Sequence, residues 1–254
     1  MDTHGEYIWK IRSAECGVSG FARLPAVMNL LQEAASLNAK ELGFSKSDFS
    51  AHGENVSWAL TRIRVCMERY PRWEEETRIV TWPRLGRRIT AFRDFEIFGA
   101  SGTRIGAAAS EWMAIDLASR RAVPVPAGVA ALANDERPPV FGDAAFSRLR
   151  REDGLVPVAS AEFRARRGDI DLNGHVNNVH YVEWLLETVP EGLEDCRELE
   201  AVFKAETLVG DTVLAECMET APGEFLHCIS SASGGGDRVL ARTVFRDARR
   251  GVRA

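Results

Sequence analysis

The sequence predicts an α+β fold of two tandem units, each a long helix wrapped by an antiparallel sheet. Three observations carry that prediction. The chain repeats itself weakly at an offset of 154 positions, Arg12 falling on Arg166. Each copy holds a stretch with apolar residues at helical spacing. Four runs of strand composition follow each of those stretches.

The repeat sets RSAECGVSGFARLPAVMNLLQE (Arg12–Glu33) over RRGDIDLNGHVNNVHYVEWLLE (Arg166–Glu187). Arg12/Arg166, Gly20/Gly174, Leu31/Leu185 and Glu33/Glu187 are identical, and the elements that follow come in the same order. In the first copy Leu24, Val27, Met28, Leu31, Ala34, Ala35, Asn38 and Leu42 recur at i, i+3, i+4, i+7 spacing, and Gly43 supplies a stop. Ser57–Met67, Thr77–Trp82, Thr90–Phe98 and Arg104–Ile115 then read as strands. In the second copy Val176, Val179, Val182, Leu185, Leu186 and Val189 form the stripe, and Pro190 ends it. Glu198–Ala205, Thr212–Met218, Phe225–Ser233 and Val239–Phe245 are the strand runs. Ala100-Ser101-Gly102 and Ala232-Ser233-Gly234 suit hairpin turns that need positive φ.

Contiguous strands pair antiparallel, and neither a striped helix nor a one-faced sheet is stable alone. A sheet around one central helix is the hot-dog arrangement, so two copies make a double hot dog. The expected divisions are residues 1–125, a linker at 126–156 within a stretch rich in Pro, Ala and charge, and 157–254.

Composition sets the outer limits. A chain of 254 residues with 45% apolar and 27% charged residues has a soluble globular profile. A net charge of −5 does not suggest nucleic acid. No apolar run reaches membrane length, and MDTHGEYIWKIR lacks a signal core, so neither stable membrane insertion nor a transit peptide is expected. The five cysteines are scattered without C-x-x-C spacing, which fits a reduced cytoplasm. His175 and His180 are off the i, i+4 metal face, so no metal and no cofactor are expected.

The stretch DIDLNGHVNNVHYVEW (Asp169–Trp184) crowds polar residues ahead of a buried helical stripe. Opposite Asp171, Asn173 and His175 the first copy has Gly17, Ser19 and Phe21. A duplicate that folds without these groups shifts them toward function, although Asp and Asn also serve as plain helix caps. A helix N-terminus presents free N–H groups and the positive end of a dipole. An Asn amide donates, and a His moves protons near neutral pH. That set suits attack on an activated carbonyl such as a thioester. Asn177, Asn178 and Tyr181 read as helix geometry and packing, His227 as structural, and Cys217 as a small core residue.

DIDLNGHVNNVHYVEWLLETVP resembles the D-x-N-x-H-V-N-N-x-x-Y signature of the acyl-carrier-protein thioesterases, a plastid and bacterial family with a double hot-dog fold. Trp58-Ala-Leu-Thr-Arg, Arg69-Tyr-Pro-Arg-Trp, Thr81-Trp-Pro-Arg, Arg93-Asp-Phe-Glu-Ile and Ser110-Glu-Trp-Met-Ala-Ile-Asp are similar to its first-half blocks. The similarity runs from about Tyr7 to Phe245. The H-V-N-N core alone is shared with many hot-dog thioesterases; its combination with those blocks is specific.

The resemblance implies hydrolysis of fatty acyl-carrier-protein thioesters, releasing free fatty acid and ending chain elongation. The family's catalytic Asp, Asn and His fall on Asp171, Asn173 and His175, and its further acid on Glu206. Thr207 stands where plant members have Cys. A papain-like thiolate route therefore has no nucleophile at the matching position, and water is the expected nucleophile. Glu206 and His175 would deprotonate it, Asn173 and backbone N–H groups would polarise the carbonyl, and Asp171 would hold His175 or Asn173. The family's acyl tunnel is implied to lie in the first unit. There Met28, Leu31, Ala35, Trp58 and Trp112 are candidate lining residues, and equally candidate core residues.

The implied partner is acyl carrier protein bearing a phosphopantetheine-linked acyl chain. Arg62, Arg64, Arg69, Arg72, Arg84, Arg87 and Arg88 offer local positive charge toward it. A homodimer is compatible with the fold. The competing readings are an acyl-CoA thioesterase on the same scaffold, a hot-dog dehydratase, and a non-catalytic acyl-binding module.

Overall fold

The apolar stripe of the first copy becomes α1 (Leu24–Glu41) in the computed structural model, which describes residues 3–132, 137–142, 146–152, 154–190 and 195–246. Pro25 sits in the first turn, where its missing N–H costs nothing. Leu24, Val27, Met28, Leu31, Ala34, Ala35 and Asn38 are buried. At the other end Gly43 takes φ +79°, Gly43 N–H donates to Lys40 O at 3.0 Å, and Phe44 N–H donates to Ala39 O at 2.8 Å. These bonds make a Schellman stop at the glycine the sequence singles out.

The chain divides into two units, Met1–Ala145 and Phe146–Ala254. In the first, β1 (Gly5–Lys10) precedes α1. A short helix, α2 (Lys46–Ala51), comes next, and then β2 (Val56–Met67), β3 (Glu76–Arg84), β4 (Thr90–Phe98) and β5 (Arg104–Asp116). Two residues, β6 (Arg121–Ala122), pair with β5, and α3 (Ala127–Leu132) follows. The sheet order is β1-β3-β4-β5-β2, antiparallel throughout. α1 packs on β1 and β3.

The second unit repeats the plan with β7 (Ala159–Arg164), α4 (Asn178–Leu186), β8 (Cys196–Phe203), β9 (Thr212–Ala221), β10 (Glu224–Ser231) and β11 (Asp237–Phe245). Its order is β7-β9-β10-β11-β8, again antiparallel. Lead-in strand, third, fourth, fifth and second strand follow one another in both sheets, so the repeat is a repeat of topology. Consecutive strands pair except at the two steps that flank the first strand after each long helix. β2 pairs with β5 and β8 with β11, while β3 and β9 pair with the lead-ins β1 and β7.

α4 packs on β9 and β10 through Val179, Tyr181, Val182, Trp184 and Leu185. The opposite face of that sheet carries Met218, Leu226, Cys228 and Leu240, which Leu149 and Leu155 cover. Ser147 and Arg151 tie this covering segment down. Ser147 donates to both carboxylate oxygens of Glu200, at 2.8 and 2.7 Å, and Arg151 pairs with Glu216 at 2.8 Å. The Pro- and Ala-rich stretch thus serves the second core before β7 begins. Earlier in that stretch, Val140 N–H donates to Asp94 of the first unit at 3.3 Å.

Candidate active site

The polar stretch ahead of α4 is a closed loop. A 3₁₀ turn, Arg167–Asp169, leads in, and Asp169 accepts the Arg166 N–H at 2.7 Å. Ile170 and Val176 then bridge, Asp171 N–H donates to His175 O at 2.9 Å, and Gly174 N–H donates to Asp171 O at 3.0 Å. Gly174 has φ +86°, which favours glycine there.

The first unit builds the same loop with other side chains. Arg12 N–H donates to Glu15 at 2.7 Å, Cys16 bridges Ala22, Gly17 N–H donates to Phe21 O at 2.9 Å, and Gly20 N–H donates to Gly17 O at 3.0 Å. Backbone and cap geometry are matched. Asp169 therefore belongs to the turn, as Glu15 does, whereas Asp171, Asn173 and His175 contribute nothing the loop needs to close.

The polar residues of the stretch separate further. Asn177 caps α4, its side-chain oxygen accepting Val179 N–H at 3.1 Å, and His180 pairs with Glu183 at 2.7 Å. The helix begins at Asn178, so His175 lies on the loop before it, and one N–H of the helix start is already taken.

Glu206 reaches His175 from the connection between β8 and β9. Val176 N–H donates to Thr207 O at 2.9 Å, which stitches that connection to the loop. Glu206 Oε1 stands 3.5 Å from His175 Nε2. Asp171 Oδ1 stands 3.9 Å from His175 Nδ1 on the other side of the ring. Asp171 holds Asn173 more closely: its carboxylate accepts the Asn173 backbone N–H at 2.7 Å and the side-chain amide at 3.4 Å. The four residues predicted from sequence are thus brought together. Their side chains are open enough for water to reach the His175–Glu206 pair, at 22% exposure for His175 and 43% for Glu206.

The cysteines lie apart from this chemistry. Burial pushes Cys217 up to about 11 and Cys228 up to about 12, so neither is a thiolate at neutral pH. Burial drives His227 down to about 4; its Nε2 is 2.8 Å from Thr243 Oγ1, inside the core.

The candidate lining residues sit in the first unit. Met28 and Leu31 are fully buried on α1. Trp58 donates its ring N–H to Phe44 O at 3.0 Å and packs on Phe49 at 6.1 Å between ring centroids. Trp112 donates to Ser110 Oγ at 2.8 Å.

Of the arginines expected to face a partner, Arg69 pairs with Glu75 and Arg84 with Asp94. Arg64 and Arg72 lie over Phe141 and Phe21. Arg87 and Arg88 are exposed beside a small pocket of about 210 Å³. A second basic feature, not singled out from sequence, adjoins the site. A groove of about 540 Å³ is lined by Glu162, Arg164, Arg166, Arg167, Val209 and Gly210 among others. Its three arginines are exposed, and Val209 belongs to the connection that carries Glu206. The R-A-R-R run was the signal for it, hidden because charge runs are usually just solvated surface.

Comparison with known proteins gives the family and the fold. The model of the acyl-ACP thioesterase N-terminal domain matches residues 4–132, and that of the C-terminal domain matches residues 157–247. The chain belongs to the acyl-ACP thioesterase family. It is similar to the oleoyl-acyl carrier protein thioesterase 2 of Arabidopsis thaliana chloroplasts, at 29% identity over 243 residues, 88% of this chain and 65% of that protein. A crystal structure of an acyl-ACP thioesterase from Bacteroides thetaiotaomicron superposes with a TM-score of 0.86 at 26% identity, covering 96% of this chain and 98% of that one. The 12:0-ACP thioesterase of Umbellularia californica shares the fold, with a TM-score of 0.85 at 23% identity over 97% and 98% of the two chains. The double hot-dog architecture is thereby shown.

Proposed function

We propose that this protein hydrolyses fatty acyl-acyl carrier protein thioesters in the cytoplasm, with water as the nucleophile. The observation that carries the reading is the His175–Glu206 pair at 3.5 Å, with His175 on a loop whose duplicate closes around Phe21 instead. A water seated against both atoms reaches each within hydrogen-bond distance. Glu206 accepts a hydrogen bond from it, and His175 takes its proton as it attacks the thioester carbonyl carbon. Asn173, held by Asp171, donates its amide to the oxyanion that forms. The tetrahedral intermediate then expels the thiol sulfur, which receives a proton from the imidazole, and the fatty acid leaves.

Asp171 is a positioning residue in this scheme, and its nearer partner is Asn173. Thr207 is fully buried with its carbonyl engaged by Val176, which supports water over a side-chain nucleophile at that position. The acyl chain is assigned to the apolar lining around Met28, Leu31, Trp58 and Trp112. The carrier protein is assigned to the groove of Arg164, Arg166 and Arg167, because its acidic surface complements them.

The test is release of free thiol from matched acyl carrier protein and acyl-CoA thioesters over several chain lengths. Turnover favouring the carrier protein is expected. Preference for CoA would transfer the assignment to an acyl-CoA thioesterase, and absence of thiol from every substrate would sink the hydrolase reading.

A further inference from the structure

The turn that joins β3 to β4, residues 85–89, carries two exposed arginines in succession, Arg87 and Arg88. It is not a loose tip. Arg87 N–H donates to Thr90 Oγ1 at 3.3 Å, and Thr90 N–H donates to Arg87 O at 3.1 Å. Val125 N–H donates to Arg88 O at 2.9 Å, and Ala114 N–H of β5 donates to Ile89 O at 3.1 Å. The turn is folded so tightly that a Cβ on Gly86 would lie 1.9 Å from Thr90 O, so only glycine fits there. The backbone under both arginines is therefore held from two sides before any ligand arrives.

A cavity of about 210 Å³ opens against this turn. Arg84, Arg87 and Arg88 line it together with the apolar Leu85, Val125 and Val129. Among the described residues no carboxylate lines it. Arg84 is compensated from behind by the buried Asp94, whose Oδ1 accepts Arg84 Nη2 at 3.3 Å. Arg87 and Arg88 form no ion pair among the described residues, so two positive charges stand uncompensated at one small cavity. Like charges held side by side repel, and an anion between them relieves that repulsion.

The volume is below the roughly 300 Å³ of ordinary small-molecule pockets and suits one compact anionic group with a few carbons. A carboxylate, such as the fatty acid of the proposed reaction, brings one charge, and so does a phosphodiester. A phosphate monoester brings close to two, and its oxygens match the guanidinium fork. We propose that this cavity binds a phosphate monoester, with Arg87 and Arg88 matching its charge and Leu85, Val125 and Val129 meeting its first carbons. The site lies in the first unit, whereas His175 and Glu206 lie in the second, and it does not rest on the thioesterase reading.

The test follows backbone amides 84–91 and 125–129 and the arginine Nε–H groups by NMR. Four probes are added in turn: inorganic phosphate, butyl phosphate, dibutyl phosphate and pentanoate. Butyl phosphate is expected to saturate, with shifts confined to those residues, and to bind about tenfold or more tightly than dibutyl phosphate or pentanoate. Inorganic phosphate should bind more weakly than butyl phosphate, because it leaves the apolar wall uncovered. Equal binding of the two would keep the phosphate assignment and name the free ion as its source. Replacing both arginines, Arg87→Glu with Arg88→Glu, should weaken butyl phosphate by about tenfold or more at an unchanged urea midpoint, since both side chains are exposed. Reversing Arg164, Arg166 and Arg167 to Glu should leave its affinity as it was. Failure of butyl phosphate to saturate, equal binding of dibutyl phosphate or pentanoate, or parental affinity in the Arg87/Arg88 variant would overturn the proposal. No thioester is used, so the result stands whether or not the protein proves to be a thioesterase.

Discussion

Asp171 and Gly17 occupy the same position in two loops with the same hydrogen bonds. The difference between them is a measure of function at the level of one residue, because folding is held constant. His175→Ala and Glu206→Gln should each lower kcat by about 10²–10⁴-fold, the range general acid–base groups contribute, with unfolding midpoints near the parent's. Near-parental hydrolysis by Glu206→Gln would remove the carboxylate from the mechanism. His227 behaves in the opposite way, as a residue of stability rather than chemistry. Its folded value, about 4, lies below the ordinary 6.5, so folding favours the neutral ring. This contribution is complete above pH 6.5 and is lost as the pH falls toward 4, at most about 3 kcal/mol. Glu75, which Arg69 holds down to about 2, titrates lower still and does not obscure it. Urea midpoints taken at about pH 7 and about pH 5 should fall less in His227→Leu than in the parent. Equal falls would place the sensitivity elsewhere.

At the level of elements, both helices were legible because their stripes are periodic, but only the first end matches the pattern: α1 stops at the Gly43 Schellman turn, whereas α4 ends at Leu186, short of Pro190, and leaves Val176 and Val189 of its stripe outside the helix. β4 matches its predicted bounds, Thr90–Phe98, whereas β8 begins two residues early, at Cys196, where it pairs with Phe245. Strand ends are set by partner register, which no local pattern encodes. The lead-in strands β1 and β7 left no strand run in the sequence, because each owes its strand character to a partner far along the chain. α2 did leave a local trace, the Ser45 and Asp48 capping box, but six residues are too few for a periodic signal. Asn177 tests the division between helix geometry and chemistry. Asn177→Ala should cost about 1 kcal/mol of stability through the lost cap while leaving turnover per folded molecule nearly intact. A collapse of kcat with unchanged stability would move Asn177 into the catalytic set.

For the molecule as a whole, a net charge of −5 opposes an acidic partner, so association depends on where the positive charge is concentrated. Several arginines of the first unit are spent on Glu75, Asp94 and aromatic faces. Arg164, Arg166 and Arg167 form no ion pair among the described residues and stand beside the Glu206 connection. Reversing all three to Glu should lower kcat/KM for a carrier-protein thioester by about tenfold or more and flatten its salt dependence. A pantetheine thioester, with neither protein nor phosphate, should be unaffected. Equal loss on both substrates would show damage to the site instead of to docking.

The sequence by itself determined the duplication, the two helices and which polar residues the second loop carries where the first does not, because periodicity, spacing and residue type are local. Only the tertiary structure decided that Asp171 serves Asn173 ahead of His175 and that Glu206 meets the imidazole across the second unit. Those facts depend on the pairing of strands and loops distant in sequence. The energy of such pairing comes from burial and hydrogen bonds made only when the whole unit has closed.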